Sequence, residues 1–103
     1  MKIITICGSY KFKKEIIEIA EIMTLKENCV LTPNELSRER KESYTKEKAN
    51  IIDKMYKEKI KLSDTILVVN VNNYIGSSTK KEIKFATKLN KEIIYYADII
   101  NKR

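Results

Sequence analysis

Four short runs of apolar residues, several of them β-branched, recur along the chain. They span residues 2–7, 29–31, 65–71 and 93–96. Runs of this length and composition predict strands. The first run is apolar at nearly every position, which is typical of a central parallel strand that is covered on both faces.

Three longer segments between these runs show helical periodicity, with apolar residues three or four positions apart and charged residues between them. They span residues 12–25, 46–62 and 79–90, and the tail from Asp98 is either frayed or a short helix. The alternation predicts an α/β fold, a small flavodoxin-like or Rossmann-like three-layer sandwich with a four-stranded parallel sheet. Right-handed crossovers favour the strand order 2-1-3-4.

One stretch, residues 34–47, breaks this pattern because it is polar and charged and has almost no apolar periodicity. Three interpretations stay open. It is a solvated loop, a poorly anchored helix, or a flap over a binding site in which Arg38, Arg40 or Lys41 meets a phosphate.

Length and composition indicate a single globular domain, residues 1–103. Hydrophobic residues make up 43% of the chain and charged residues 34%, which is a globular balance. No apolar run approaches the roughly 20 residues that cross a membrane, and the N-terminus lacks the features of a signal peptide. We therefore expect a soluble cytoplasmic protein with no membrane partner.

The reactive side chains narrow the possible chemistry. The chain has no histidine, which excludes every triad with an imidazole base and leaves acid–base work to carboxylates, lysines or tyrosines. Cys7 and Cys29 lie at or inside apolar runs, so we expect two buried free thiols and no disulfide. Two cysteines alone make a poor metal constellation, so we expect no metal site.

The net charge of +7 comes mainly from lysines, and these are spread along the chain. Nucleic-acid-binding proteins tend to gather their basic residues into a patch, often with arginines and stacking aromatics. The distribution therefore disfavours a nucleic-acid partner, and it is compatible with attraction of a small phosphorylated ligand.

A candidate site follows from the predicted strand order, because the ends of strands 1 and 3 lie side by side in it. The turn Gly8-Ser9-Tyr10 and the polar segment 70–78 would then converge on one crevice. Backbone N–H groups at Gly8 and Ser9 can hold a phosphate or a sugar oxygen. Tyr10 either packs on the next helix or hydrogen-bonds in the crevice. Asn70 and Asn72 point to opposite faces, so one of them can bind a ligand.

We expect Glu82 to be the reactive carboxylate of the site. Its position also fits a structural role. Thr79 and Glu82 have the spacing of a capping box, in which the threonine caps the helix and the glutamate reaches back to it. The two roles can coexist. Asp64 precedes the third strand, at the opposite end of the sheet, and we expect it to be structural.

Two motifs carry a resemblance to a known family. ITICGSYKF at the start and VVNVNNYIGSSTKKEIKFA near the end resemble the nucleoside 2-deoxyribosyltransferase-like superfamily, over roughly residues 2–96. More narrowly, the chain looks like a compact bacterial or phage branch of that superfamily. The resemblance implies an enzyme acting on the N-glycosidic bond of a (deoxy)nucleoside or its 5′-monophosphate, by base exchange or hydrolysis. It implies no cofactor, and a homodimer or larger homo-oligomer.

The resemblance also implies roles for individual residues. Glu82 would be the nucleophile that attacks the anomeric carbon, and Tyr10 would position or tune it. The sugar or its 5′ group would be held by Gly8 and Ser9 from one loop and by Gly76, Ser77 and Ser78 from the other.

The chain departs from the family where members usually carry aspartates that bind sugar hydroxyls and protonate the leaving base. Those positions hold Asn70, Asn72 and Asn73 here. An amide hydrogen-bonds but cannot act as a general acid, so a non-catalytic module that binds or senses a nucleotide-like ligand is the alternative. A third hypothesis is a basic protein that binds nucleic acid or another protein, for which a steep loss of binding with salt would be the sign.

Overall fold

A four-stranded parallel sheet forms the centre of the protein. The computed structural model describes residues 1–33 and 44–102. The strands are β1 (Ile3–Cys7), β2 (Cys29–Leu31), β3 (Thr65–Val68) and β4 (Glu92–Tyr95), and they lie in the order β2-β1-β3-β4. All three neighbouring pairs are parallel. The predicted α/β fold and the predicted strand order are confirmed.

Among the described residues, four helices cover the sheet: α1 (Lys13–Leu25), α2 (Lys46–Leu62), α3 (Ser77–Lys88) and α4 (Tyr96–Asn101). Short 3-10 turns at Tyr10–Phe12 and Val71–Asn73 follow β1 and β3. The predicted bounds of the third strand and of the third helix are wrong. The third strand ends at Val68 instead of residue 71, and α3 spans Ser77–Lys88 instead of residues 79–90. The tail forms the short helix α4, which settles the alternative left open for it.

Each face of the sheet has its own apolar core because alternate residues of a strand point to opposite faces. On one face Ile4 and Ile6 of β1 pack with Ile16 and Ile19 of α1, and α4 joins the edge of this cluster. The second cluster lies on the other face, where α2 and α3 cover the sheet. Its buried members are Cys7, Tyr56, Ile60, Ile66, Val68 and Ala86.

The burial of the two cysteines differs from the prediction. Cys7, at the end of the central strand, is fully buried, whereas Cys29 is exposed. The reason is position in the sheet, since β2 is an edge strand and pairs only with β1. Met55 and Leu89 are also exposed, although helical periodicity groups each of them with the apolar residues of its helix.

The amino end of the sheet is fastened by Asp64, whose Oδ2 accepts a hydrogen bond from the Ile3 N–H at 2.8 Å. This confirms the structural role expected for that residue. Glu92 lies nearby and accepts hydrogen bonds from Lys2 Nζ and Thr65 Oγ1, both at 2.7 Å.

The polar segment 34–47 is described only from Tyr44 onward. Thr45 is the N-cap of α2, and its hydroxyl accepts from the Lys48 N–H at 3.2 Å. Arg38, Arg40 and Lys41, proposed above for a flap, lie outside the described residues. Within the described ranges, none of the helices has both the length and the apolar character that a bilayer crossing requires.

Candidate active site

A cavity of about 390 Å³ opens beyond the carboxyl ends of β1 and β3. Its volume falls within the roughly 300–1,000 Å³ range of small-molecule pockets. Seven of the residues predicted for a site line it together: Gly8, Ser9, Tyr10, Gly76, Ser77, Ser78 and Glu82. The structure therefore brings the two predicted loops into one crevice, and their roles in binding or catalysis stay a prediction.

Gly8 allows the first loop to lie tightly against the sheet. A Cβ atom there would meet Val69 Cβ at 3.1 Å and Ile16 Cδ1 at 3.3 Å, closer than side chains normally approach. Gly76 is different, because a Cβ there would meet only the Tyr74 ring, at 3.7 Å. Close packing thus requires the first glycine, and nothing of that kind requires the second.

The amino terminus of α3 forms one wall of the cavity. Gly76 is the N-cap, no side chain caps the helix, and its first turn contains no acidic residue. The capping box proposed for Thr79 and Glu82 does not form, because the helix begins two residues earlier and both lie inside it. The first N–H groups of a helix have no partner within it, and together with the helix dipole they favour a negative or strongly polar ligand group.

Thr79 is an unexpected member of this wall. It is only 3% exposed and lines the cavity. Within residues 1–33 and 44–102, no hydrogen bond of its hydroxyl to the protein is found. A buried hydroxyl without a partner is costly, so this group is suited to meeting a ligand.

Glu82 lies in the second turn of α3, half-buried at the cavity wall. Its carboxylate hydrogen-bonds with the Cys7 thiol. Burial raises the pKa of that thiol well above its usual range, the charge and the hydrogen bond of Glu82 raise it further, and a hydrogen bond with Tyr56 opposes them. The thiol therefore stays neutral and donates to Glu82, which helps to fix the direction of the carboxylate.

Four of the six tyrosines line the cavity: Tyr10, Tyr44, Tyr56 and Tyr74. Tyr56 is buried, and its hydroxyl donates a hydrogen bond to the Ile6 carbonyl. Tyr74 is held by Lys11, whose Nζ lies 3.4 Å from its ring centroid, and by an edge-on contact with Phe12. Aromatic walls of this kind suit a flat ligand group.

A second carboxylate, Asp53 of α2, also lines the cavity, and sequence analysis missed it. Asp53 forms an ion pair with Lys57 at 3.5 Å, one helical turn away. In the sequence it is one of several acids on the polar side of a helix, so no signal distinguishes it. In the sequence Tyr56 falls among the apolar positions of α2, and periodicity indicates burial but not which hydroxyl reaches a cavity.

Asn70 and Asn72 do not line the cavity. The Asn70 side chain is buried, and its Oδ1 accepts a hydrogen bond from the Ala97 N–H at 3.0 Å, which ties the end of β3 to α4. Asn72 has a φ of 53°, and Asn73 has a φ of 63°. Asparagine tolerates this left-handed conformation better than most residues, so the turn itself accounts for both.

The donor set does not suggest a metal centre. In the described part of the chain, no three His, Cys, Asp or Glu side chains are grouped so that they could hold a metal ion. The described residues offer the cavity two carboxylates, hydroxyls, phenols and backbone N–H groups.

The overall structure is similar to that of a 2-deoxyribosyltransferase from Leishmania mexicana, with a TM-score of 0.67. The match covers 92% of this chain at 18% sequence identity, and the chain spans 63% of that protein's length. No protein-family model and no curated protein matches the sequence. The chain thus has a nucleoside 2-deoxyribosyltransferase-like fold, as the two sequence motifs indicated.

Proposed function

We propose that this chain is an enzyme that cleaves or exchanges the N-glycosidic bond of a (deoxy)nucleoside or nucleoside 5′-monophosphate, with Glu82 as the nucleophile. The observation that carries the proposal is the position of Glu82. It lies on the wall of the cavity beside the turn of β1 and the N-terminus of α3, in a fold similar to that of a 2-deoxyribosyltransferase.

The local structure suits Glu82 to this role. The carboxylate does not cap α3, since the helix begins at Ser77. It is half-buried, which lowers the competition from water. The thiol of Cys7 on one side and the open cavity on the other give the carboxylate a defined orientation. A fixed carboxylate next to a bound sugar meets the geometric requirement of nucleophilic displacement.

The proposed reaction is a double displacement. A carboxylate oxygen of Glu82 forms a bond to the anomeric carbon as the bond from that carbon to the base nitrogen breaks, and the base leaves with a proton taken up from its surroundings. Water or an acceptor base then attacks the same carbon, the ester bond to Glu82 breaks, and a proton is released. This course parallels retaining glycoside hydrolysis.

The other predicted residues that line the cavity are assigned to binding. Small residues at 8, 9 and 76–78 let the sugar and its 5′ group approach the backbone N–H groups of both loops. The phenol of Tyr10 lies on the same cavity and would hydrogen-bond the sugar or the Glu82 carboxylate.

A binding or sensing module without turnover is the second candidate, and one observation favours it. Among the described residues, the loop after β3 supplies no carboxylate to the cavity, and Asn70 is engaged with Ala97. A site with a nucleophile but a poorly assisted leaving group could bind a nucleotide and fail to cleave it.

A turnover assay separates the two candidates. The protein would be incubated with deoxynucleosides, ribonucleosides and their 5′-monophosphates, with and without an acceptor base, and released and exchanged bases would be measured by chromatography. The test variant is Glu82→Gln, and Glu58→Gln is the matched control because it removes an exposed carboxylate of α2 away from the cavity.

We expect wild type and Glu58→Gln to release base and Glu82→Gln to fold normally without doing so. Base released equally by Glu82→Gln would contradict a nucleophilic role. Absence of release by the wild type, combined with a thermal shift on addition of nucleotides, would support the binding module.

We also propose that the chain forms a homo-oligomer. Ile51, Met55 and Leu62 of α2 are 55%, 48% and 70% exposed. At about 100° per residue they fall on one face of the helix. Exposed apolar groups on one face favour contact with a partner surface. Light scattering coupled to size-exclusion chromatography tests this, and a monomer mass at high protein concentration would contradict it.

A further inference from the structure

The walls of the cavity differ in chemistry. The wall formed by the turn after β1 and by the start of α3 is rich in glycines and small hydroxyl residues, with the phenol of Tyr10 among them, and it includes Glu82. The lining residues contributed by Pro33 and by the start of α2 and the residues before it form an apolar and aromatic wall, which includes Pro33, Tyr44, Ala49 and Ile52. This division matches a ligand with a polar sugar at one end and a flat ring at the other.

Asp53 is the one described residue with a formal charge on the apolar and aromatic wall. It lies one residue after Ile52 and one helical turn before Tyr56, so the backbone of α2 holds it against the cavity. A carboxylate only accepts hydrogen bonds, and it binds best to two N–H donors placed side by side.

We propose that Asp53 determines base specificity by accepting hydrogen bonds from the N–H edge of the bound nucleobase. This rests on the proposed function for the orientation of the ligand, with the sugar next to Glu82. Guanine offers a ring N–H and an amino group side by side. Thymine offers one N–H between two carbonyl oxygens, which the carboxylate repels, and hypoxanthine lacks the amino group of guanine.

Lys57 does not prevent this role. The Asp53–Lys57 contact is 3.5 Å long and exposed, with the Asp53 side chain 67% accessible, so an incoming N–H group can take its place at little cost. The same exposure limits the free energy that hydrogen bonds from the base to Asp53 add to binding. We expect about a tenfold preference for guanine over hypoxanthine, at the low end for a charge-assisted hydrogen bond.

The test compares 2′-deoxyguanosine 5′-monophosphate with 2′-deoxyinosine 5′-monophosphate, which differ only in the amino group. Calorimetry would give both affinities for Glu82→Gln, which holds the ligand without nucleophilic attack, and for Glu82→Gln combined with Asp53→Ala. Glu82→Gln combined with Glu58→Ala is the matched control, since Glu58 is also on α2, exposed and ion-paired to a lysine. Turnover of both nucleotides would be measured in parallel for three proteins that keep Glu82, namely the wild type, Asp53→Ala and Glu58→Ala.

We expect the guanine preference to fall to about unity with Asp53→Ala and to survive with Glu58→Ala. A guanine preference near unity in Glu82→Gln, or one that persists when Asp53→Ala is added, would overturn the assignment of Asp53 and leave Glu82 untouched if turnover still requires it. A preference in binding that depends on Asp53, without turnover by the wild type, would uphold the assignment and overturn the proposed reaction. Absence of both binding and turnover would overturn both.

Discussion

The two ends of the sheet use their polar residues in different ways. At the amino end the side chains bond to one another and to the backbone. Asp64 accepts a hydrogen bond from the Ile3 N–H. Glu92 accepts hydrogen bonds from Thr65 and Lys2. The buried hydroxyls of Thr5 and Ser63 hydrogen-bond to each other. Each of these groups has found a partner inside the protein, and the end is closed.

At the carboxyl end the polar residues surround open space. Ser77, Ser78 and Thr79 line the cavity, and within the described residues their side chains have no hydrogen bond to the protein. Groups that folding leaves unused are available for a ligand, and in open α/β sheets this is the end at which ligands bind. The contrast separates residues that hold the fold from candidates for function, and paired substitutions at the two ends can test it.

The largest expected difference is between the effects of Glu82→Gln and Asp64→Ala on turnover and on the free energy of unfolding. Glu82→Gln should lower turnover by about 10³-fold or more, because an amide is a very poor nucleophile, and leave the free energy of unfolding nearly unchanged. Asp64→Ala should lower the free energy of unfolding by about 1–2 kcal/mol through loss of the bond from Ile3, with turnover per folded molecule retained.

Chemical denaturation and turnover measured on the same preparations check this pair. The contrast between the two ends would be wrong if Asp64→Ala abolished turnover in fully folded protein, or if Glu82→Gln unfolded the chain.

The second largest difference is expected between the losses of stability caused by alanine substitution at the two glycines of the cavity. Gly8→Ala adds a methyl group 3.1 Å from Val69 Cβ, and overpacking of this kind costs about 1–3 kcal/mol of unfolding free energy. Gly76→Ala adds its methyl group where only the Tyr74 ring is near, and we expect a cost of about 0.5 kcal/mol from the weaker N-cap. Thermal melts of both variants give the comparison, and equal destabilisation would contradict it.

The fold was predictable because it rests on patterns that a sequence displays directly. The apolar run of β1 has residues for both cores, and the periodicity of α1 predicts its buried face. Burial at the edges was less predictable. Cys29 looks like Cys7 in the sequence because both lie at apolar runs, and such a run does not show which side chain of a short edge strand is exposed, even though the predicted strand order already places β2 at an edge.

The candidate site was predictable in its two loops and in Glu82, which the motif near the end of the chain marked. Glycine and small polar residues after a strand mark a turn wherever they occur, so Gly8, Ser9 and Gly76–Ser78 could be found. Asp53 and Thr79 could not, because each lies in a helix whose rotation about its axis decides what it faces. The start of α3 two residues earlier than predicted is what moves Thr79 from a cap into the cavity wall.

A matched pair of threonines offers a finer test. Thr65→Val removes a hydroxyl that donates to Glu92 at 2.7 Å, and it should lower the free energy of unfolding by about 1–2 kcal/mol. Thr79→Val removes a buried hydroxyl without a partner in the described residues, and it should leave stability unchanged or raise it by up to about 1 kcal/mol. Urea unfolding of the two variants measures both changes in the free energy of unfolding. A loss of stability in Thr79→Val equal to that in Thr65→Val would show that the Thr79 hydroxyl has a structural partner.

The smallest expected effect is at Glu92, and it depends on pH. Hydrogen bonds from Lys2 and then Thr65 lower the pKa of Glu92 in the folded protein. A lowered pKa means that the carboxylate stabilises the fold above its unfolded-state pKa and that this contribution is lost as the pH falls through its folded-state pKa. Because Glu92 is 49% exposed, Glu92→Gln should cost less than about 1 kcal/mol at pH 7.

Urea unfolding of wild type and Glu92→Gln at a series of pH values checks this effect. The difference between the two curves should shrink toward acid and also shrink in high salt, since an exposed ion pair is screened. Glu58→Gln is the control, because its pair with Lys61 joins neighbouring turns of one helix instead of two strands of the sheet. A difference that stays constant with pH would mean that Glu92 acts at the amino end through its shape alone, without its charge.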